Sequence, residues 1–333
     1  MKSIPCNTIK NKPPLYILDS NACLEFSRFY YDGKCSSDSH VQFIKNILVE
    51  AQNNGGSFQF ELAISELSFD YGSNSINAKM AQQLYFGIDS LITKISAKEL
   101  LTYTSSIGKL YHIERDSHCN IDSILNCNFP KALIPNDELV LLFFLSYLYR
   151  LKIQELYQTR HIDPISKVKN LFCYMIDTVG VFGDIEFQLG KMLFLNQNNS
   201  KTIKKLMKVD HVISVPLLIN TVTDVVFYRI SRKIGNDLLI PVFLITDDSS
   251  IQELYSINKM VLESNIGPNI SMDCSDVNQK YYDDFQKYYM QNIYPTMQKR
   301  FIFPYDINSH RSDIISTIYS EIKKLEKIVI TKV

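Results

Sequence analysis

The sequence predicts an α/β fold, a doubly wound and mostly parallel sheet with a helical insertion, and three observations predict it. Short apolar runs alternate with helical periodicity towards both ends of the chain, the rhythm of strands laid parallel by intervening helices. Two of those runs, LYILD at Asp19 and VFLITDD at Asp247 and Asp248, end on acid. Between them, from about Ala97 to Ser200, the pattern is helical almost throughout.

Taken in order, Leu15–Leu18 reads as a buried strand that stops on Asp19. Cys23, Phe26, Phe29 and Tyr30 then recur at helical spacing. A second helix is predicted from a Ser39 cap to Gly55-Gly56, where glycine ends it. Phe58, Phe60 and Leu62 alternate as a strand does, Ser65 reads as a cap, and Glu66 opens the next helix. In the middle, KLYHIER (109–115) is a weak strand, Asp137–Arg160 and Pro164–Thr178 are helical, and LNQNNSKTIKK, from Leu195, is a polar exit loop. The α/β rhythm returns with a helix over TVTDVVFYRISRKIGND and a strand in LIPVFLITDDSS. KRFIFPYD supplies another short strand before a final helix, SDIISTIYSEIKKLEK. The organisation predicted is a core of residues 13–96 and 209–308, a helical insertion over 97–208, and a C-terminal helix and tail over 309–333.

The 333 residues are 46% apolar and 21% charged, an ordinary globular composition. Basic and acidic residues balance at 35 each, so no global field announces a nucleic-acid partner. The seven cysteines are scattered and form no CxxC pair, which points neither to a disulfide framework nor to zinc. The start lacks the apolar stretch of a signal peptide, and LVLLFFLSYLYRL (Leu139–Leu151) is too short to span a bilayer. The expected location is the cytoplasm, with no membrane partner.

In an open α/β sheet, ligands sit beyond the carboxyl ends of the strands. Neighbouring strands lie about 4.8 Å apart, so acids at two such ends converge. Two unit charges ~4 Å apart interact by about 4 kcal/mol at an effective dielectric near 20, and such a pair calls for a proton or a cation. A divalent ion with oxygen ligands is the simplest neutraliser. The plainer alternative is that Asp19 and Asp248 only cap the helices that follow them.

Further acids accompany these strand ends. Glu66 follows a strand in ISELSFD, and Asp224 lies in TVTDVVFYR, on the helix before the last acidic strand. Hydrophobic-Asp-x-Asn, strand-then-Ser-Glu-Leu, a helical Asp and hydrophobic-Thr-x-Asp, in that order, resemble the PIN-domain nucleases. The resemblance covers about residues 13–96 and 209–308. It implies a PIN-like sandwich whose acids hold Mg²⁺ or Mn²⁺ and hydrolyse phosphodiesters, usually in RNA, with DNA open. By that resemblance Asp19, Glu66, Asp224 and Asp248 are the catalytic acids and metal ligands, supported by Asn21, Thr246 and Asp247. Asp210 and Asp184 are alternatives for Asp224. Lys204, Lys205, Lys208, Arg229 and Arg232 are candidate nucleic-acid contacts, or equally solvated helix faces. Relatives of this kind include toxins held by a partner protein, so a toxin or host-defence role with an inhibitory or assembly partner is a further implication. Two other readings stand beside it. One is a haloacid-dehalogenase-like phosphatase, which needs a second aspartate where Asn21 stands. The other is a non-catalytic binding or assembly module.

Overall fold

The computed structural model describes residues 1–7, 9–70, 73, 75–102, 137–196, 200–249, 251–252, 277–302 and 310–330. It divides into two compact units: residues 1–140 with 227–252, and residues 141–226 with 253–333.

The first unit holds the sheet. Its strands are β1 (Lys2–Pro5), β2 (Leu15–Leu18), β3 (Ser57–Gln59) and β6 (Val242–Thr246), in the order β1-β6-β2-β3. β2 runs parallel to β3 and β6, and β1 pairs antiparallel with β6, Lys2 opposite Thr246. β4 (Phe69–Asp70) and β5 (Ser75–Ile76) pair antiparallel in a separate two-stranded sheet. The expected doubly wound, mostly parallel sandwich is therefore not formed: the chain is mainly helical, and its sheet is small and mixed. The sequence pattern overcounted strands. Glu61 already begins a helix, α3 (Glu61–Ser68), so the alternation of Phe60 and Leu62 is not a strand. KRFIFPYD is helical as far as Ile302, and its remainder, like KLYHIER, lies outside the described residues.

Helices α1 (Ser20–Asp32), α2 (Asp38–Asn54), α4 (Ala78–Thr93) and α5 (Ala97–Thr102) complete this part of the unit. Asp19 caps α1 and Ser37, not Ser39, caps α2. Gly33 and Gly55 end these helices at φ 66°, the left-handed region that favours glycine. On one face of the sheet Tyr16 stacks on its register partners Phe58 and Phe243, with ring centroids 5.1 and 5.6 Å apart. Leu18, Ala22, Cys23, Phe26, Ile44 and Leu48 are buried beside the strands.

The second unit is helical in its described residues. It takes most of α6 (Asp137–Gln158), then α7 (Pro164–Cys173), which continues as a π-helical turn over Tyr174–Val179. α8 (Asp184–Leu195) and α9 (Ser200–Met207) follow. α10 (Val215–Leu238) gives residues 215–226 to this unit and 227–238 to the first. α11 (Gln279–Tyr288), α12 (Tyr294–Ile302) and α13 (Arg311–Val329) complete it. Phe172 meets the rings of Phe182 and Phe187, while Tyr147 and Tyr174 donate to Glu326 and Glu321 on α13. Among the described residues no helix is long and apolar enough to cross a membrane.

Candidate active site

The site is built where β2 and β6 end side by side. Parallel pairing brings Leu18 opposite Ile245, and the Asp19 N–H extends the ladder to the Ile245 carbonyl at 3.0 Å. The chain then turns into α1, and Asp19 Oδ1 accepts the Ala22 N–H at 2.7 Å. This is the capping role, and it leaves the carboxyl 4% exposed. Burial pushes Asp19 up to about 7, and the carboxylates of Glu66 and Asp248 push the same way. Hydrogen bonds from Thr246 and Ala22 oppose the rise.

Thr246, fully buried at the end of β6, serves both strand ends. Its hydroxyl accepts the Asp248 N–H at 2.9 Å and donates to the Asp19 carboxylate. Asp248 itself is half-buried. Glu66 lies in the last turn of α3, where the helix dipole disfavours an anion, so it is no N-terminal helix charge as the sequence pattern suggested. Its carboxylate accepts the hydroxyl of Ser20, the first residue of α1. Asp19, Glu66, Thr246 and Asp248 are thus gathered by three elements of one unit.

The neighbouring acid behaves differently. The Asp247 side chain is 42% exposed, and its Oδ1 lies 2.7 Å from the Met1 amino group and 3.0 Å from His40 Nε2. His40 is buried on α2, with Nδ1 2.8 Å from Ser36 Oγ and 3.3 Å from Glu25 Oε2. Glu25 is itself buried. Burial opposes its ionisation, yet donors on Ser36, His40 and Arg28 hold it below the usual carboxylate range. Neither Glu25 nor His40 stood out in the sequence, because they meet Asp247 only through the fold.

The other candidates are dispersed. Asn21 is exposed on the first turn of α1. Asp224 is half-buried on the stretch of α10 that belongs to the second unit. Asp184 is exposed at the start of α8, and Asp210 accepts the Tyr157 hydroxyl and faces Lys204 at 3.9 Å. Lys204 also lies over the Tyr157 ring, and Lys208 donates to Asn220 Oδ1. Lys205 is exposed. Arg229 and Arg232 are half-buried on the first unit's stretch of α10, Arg232 lying 6.0 Å from the Tyr228 ring centroid.

Among the described residues no three His, Cys, Asp or Glu side chains are close enough together to hold a metal ion. Asp19, Glu66 and Asp248 are near enough for two of them to perturb the third, but they do not converge on one point. Their chemistry suits a hard cation: three carboxylates, with the hydroxyls of Ser20 and Thr246 beside them, are the oxygen donors that Mg²⁺ or Mn²⁺ takes. Comparison with family models, with curated proteins and with solved structures finds no match to this chain.

Proposed function

We propose that the first unit is a metal-dependent nuclease that hydrolyses phosphodiester bonds in RNA, with Asp19, Glu66 and Asp248 as the residues that hold Mg²⁺ or Mn²⁺. The observation that carries the reading is the state of Asp19, a carboxyl at a strand's carboxyl end that burial and two further acids lift to about 7. A buried acid in such company is a better candidate for binding a cation than for capping alone, because the cap needs no second or third carboxylate. A bound ion would neutralise charge developing at phosphorus and acidify a water molecule. Thr246 orients Asp19 and Asp248, Ser20 orients Glu66, and Asn21, exposed on the first turn of α1, would offer an amide to a phosphate oxygen. The acidic motifs that resemble PIN-domain nucleases supply the substrate class; the resemblance also names Asp224. A toxin or defence role with an inhibitory partner belongs to the same proposal.

The test is cleavage of a mixed pool of labelled RNAs by the full chain, with Mn²⁺ or Mg²⁺, with EDTA, and with D19N and D248N. Ion-dependent cleavage lost in both variants is expected. Cleavage of single-stranded DNA alone would move the substrate class. Release of phosphate from small monoesters would favour the phosphatase reading. RNA binding that survives in D19N without any cleavage by the unmodified chain would favour the non-catalytic module, for which the Ala22–Asp19 cap already supplies a structural reason.

A further inference from the structure

The tandem Asp247-Asp248 leaves open which carboxylate serves the site, since both follow Thr246 and either could be turned inwards. We infer that His40, held from behind by Glu25 and Ser36, clamps Asp247 outside the acidic site and so makes Asp248 the ligand. This rests on the metal-site reading above and assigns the residue that sets its register.

Three observations carry it. First, the acids that act on Asp19 are Glu66 and Asp248, so Asp248 already faces the site. Second, Asp247 is occupied on the other side by His40 Nε2 at 3.0 Å, with the Met1 amino group at 2.7 Å on the same oxygen. Third, the imidazole is fixed at its far edge, where Nδ1 meets Ser36 Oγ at 2.8 Å and Glu25 Oε2 at 3.3 Å. The Ser36 hydroxyl has one hydrogen and gives it to Glu25, so Nδ1–H is the donor towards Ser36 Oγ and Glu25. With the ring charged, Nε2–H then donates to Asp247, and both hydrogens of the imidazolium are used. Ser36 also donates to Glu25 through both its N–H and its hydroxyl, and Arg28 adds a third donor, so the backing carboxylate does not swing away. His40 is therefore a positioning residue that acts through Asp247.

The experiment measures Mn²⁺ binding to the full chain by calorimetry and by the electron paramagnetic resonance of free Mn²⁺. The proteins are the unmodified chain, D247N, D248N, H40F, H40F with D248N, and the triple variant H40F, D247N, D248N. Phenylalanine fills the space of the imidazole and removes its donor. D248N is expected to weaken binding by about tenfold or more, in the range by which metal-site residues and their supports act, and D247N by less than about threefold. Adding H40F to D248N, with the Met1 amino group acetylated so that neither donor holds Asp247, frees that carboxylate to replace the lost ligand, so binding recovers; adding D247N to that pair removes it again. Equal losses in D247N and D248N, or no recovery in the acetylated H40F, D248N chain, would overturn the clamp while leaving the metal site standing. No Mn²⁺ binding by the unmodified chain would remove the metal site and the clamp with it. Should H40F fail to fold, long-range ¹H–¹⁵N correlation spectra of the unmodified chain decide the matter. A ring hydrogenated at both nitrogens, with its Nε2 signal altered in D247N, is expected, and a ring hydrogenated only at Nδ1 overturns the clamp.

Discussion

Asp19 caps a helix and belongs to an acidic site, and substitution separates the two roles. Asparagine retains the acceptor for the Ala22 N–H but removes the charge, whereas alanine removes both. Because the folded carboxyl is lifted to about 7 while an unfolded aspartate titrates near ~3.9, the folded state holds its proton more tightly. The contribution to stability is thus fully present below about pH 4 and lost as pH rises through about 7. In EDTA, D19N is expected to match or exceed the unmodified chain in stability at pH 8, by an amount on the order of a few kcal/mol at most, and to flatten the fall in stability between about pH 4 and 7. D19A gives back about 1 kcal/mol of this through the lost cap. Thermal melts of the three proteins across that range check the sign, and a D19N protein less stable than the unmodified chain at pH 8 would return Asp19 to a purely structural role. Thr246 is the second test at this scale. T246V keeps the shape but strips the buried hydroxyl that serves Asp19 and the Asp248 N–H. A loss of about 1–3 kcal/mol in denaturant unfolding is expected, since a buried donor is left without its acceptor.

The strands are small, and what makes each legible in the sequence is how much of it is buried. β2 and β6 lie inside the sheet, so Leu15–Leu18 and Val242–Thr246 read as near-continuous apolar runs. β1 is an edge strand, KSIP, with Ile4 as its buried residue, and four residues of that kind carry no period to recognise. Between Phe58 and Leu62 two periods competed. Phe60, Ala63 and Ile64 are the buried residues, which is i, i+3, i+4 spacing, and the helix prevailed over the alternation. That choice moved Glu66 from the start of α3 to its last turn without removing it from the site. The acids at the strand ends were thus legible, while His40 and Glu25 were not, because an isolated histidine and glutamate show no pattern until folding brings Asp247 to them. The strand packing itself makes a testable demand on Gly56. A Cβ there would lie 2.9 Å from the Tyr16 ring and 3.2 Å from Ala51 Cα, one neighbour in the aromatic stack and the other backbone of α2. G56A is therefore expected to cost about 1–3 kcal/mol, the range for an overfilled core, measured by the urea midpoint at unchanged slope.

At the scale of the whole molecule, Arg150 in the second unit is, like Asp19 in the first, a buried ionisable group at odds with its surroundings. It is 4% exposed on α6 and lines a cavity of about 20 Å³ with Ser146, Glu186, Leu189, Met207 and Val225, room for about one water molecule. Its guanidinium donates to Gln154 Oε1 and the Met207 carbonyl, and its Nε–H is without a partner. Burial alone pulls it down to about 9. Removing it therefore strands only neutral acceptors, at about 1–3 kcal/mol each, and relieves the several kcal/mol that desolvating a cation costs. The two nearly cancel, so R150M is expected to fold with a Tm within a few degrees of the unmodified chain. The pH dependence is sharper. Above about pH 9 the unfolded arginine holds a proton that the folded one releases, so this group makes stability rise with pH. Tyrosines and lysines titrate in the same range, but their effect is common to both proteins, so the difference between the unmodified chain and R150M isolates Arg150. That difference should move in favour of the unmodified chain from pH 8 to pH 10.5. Arg150 and Asp19 share no partner, so the effects of R150M and D19N should add within about 0.5 kcal/mol. A larger coupling would mean that the two buried charges respond to one another across the molecule, and the separate account of each unit would have to be given up.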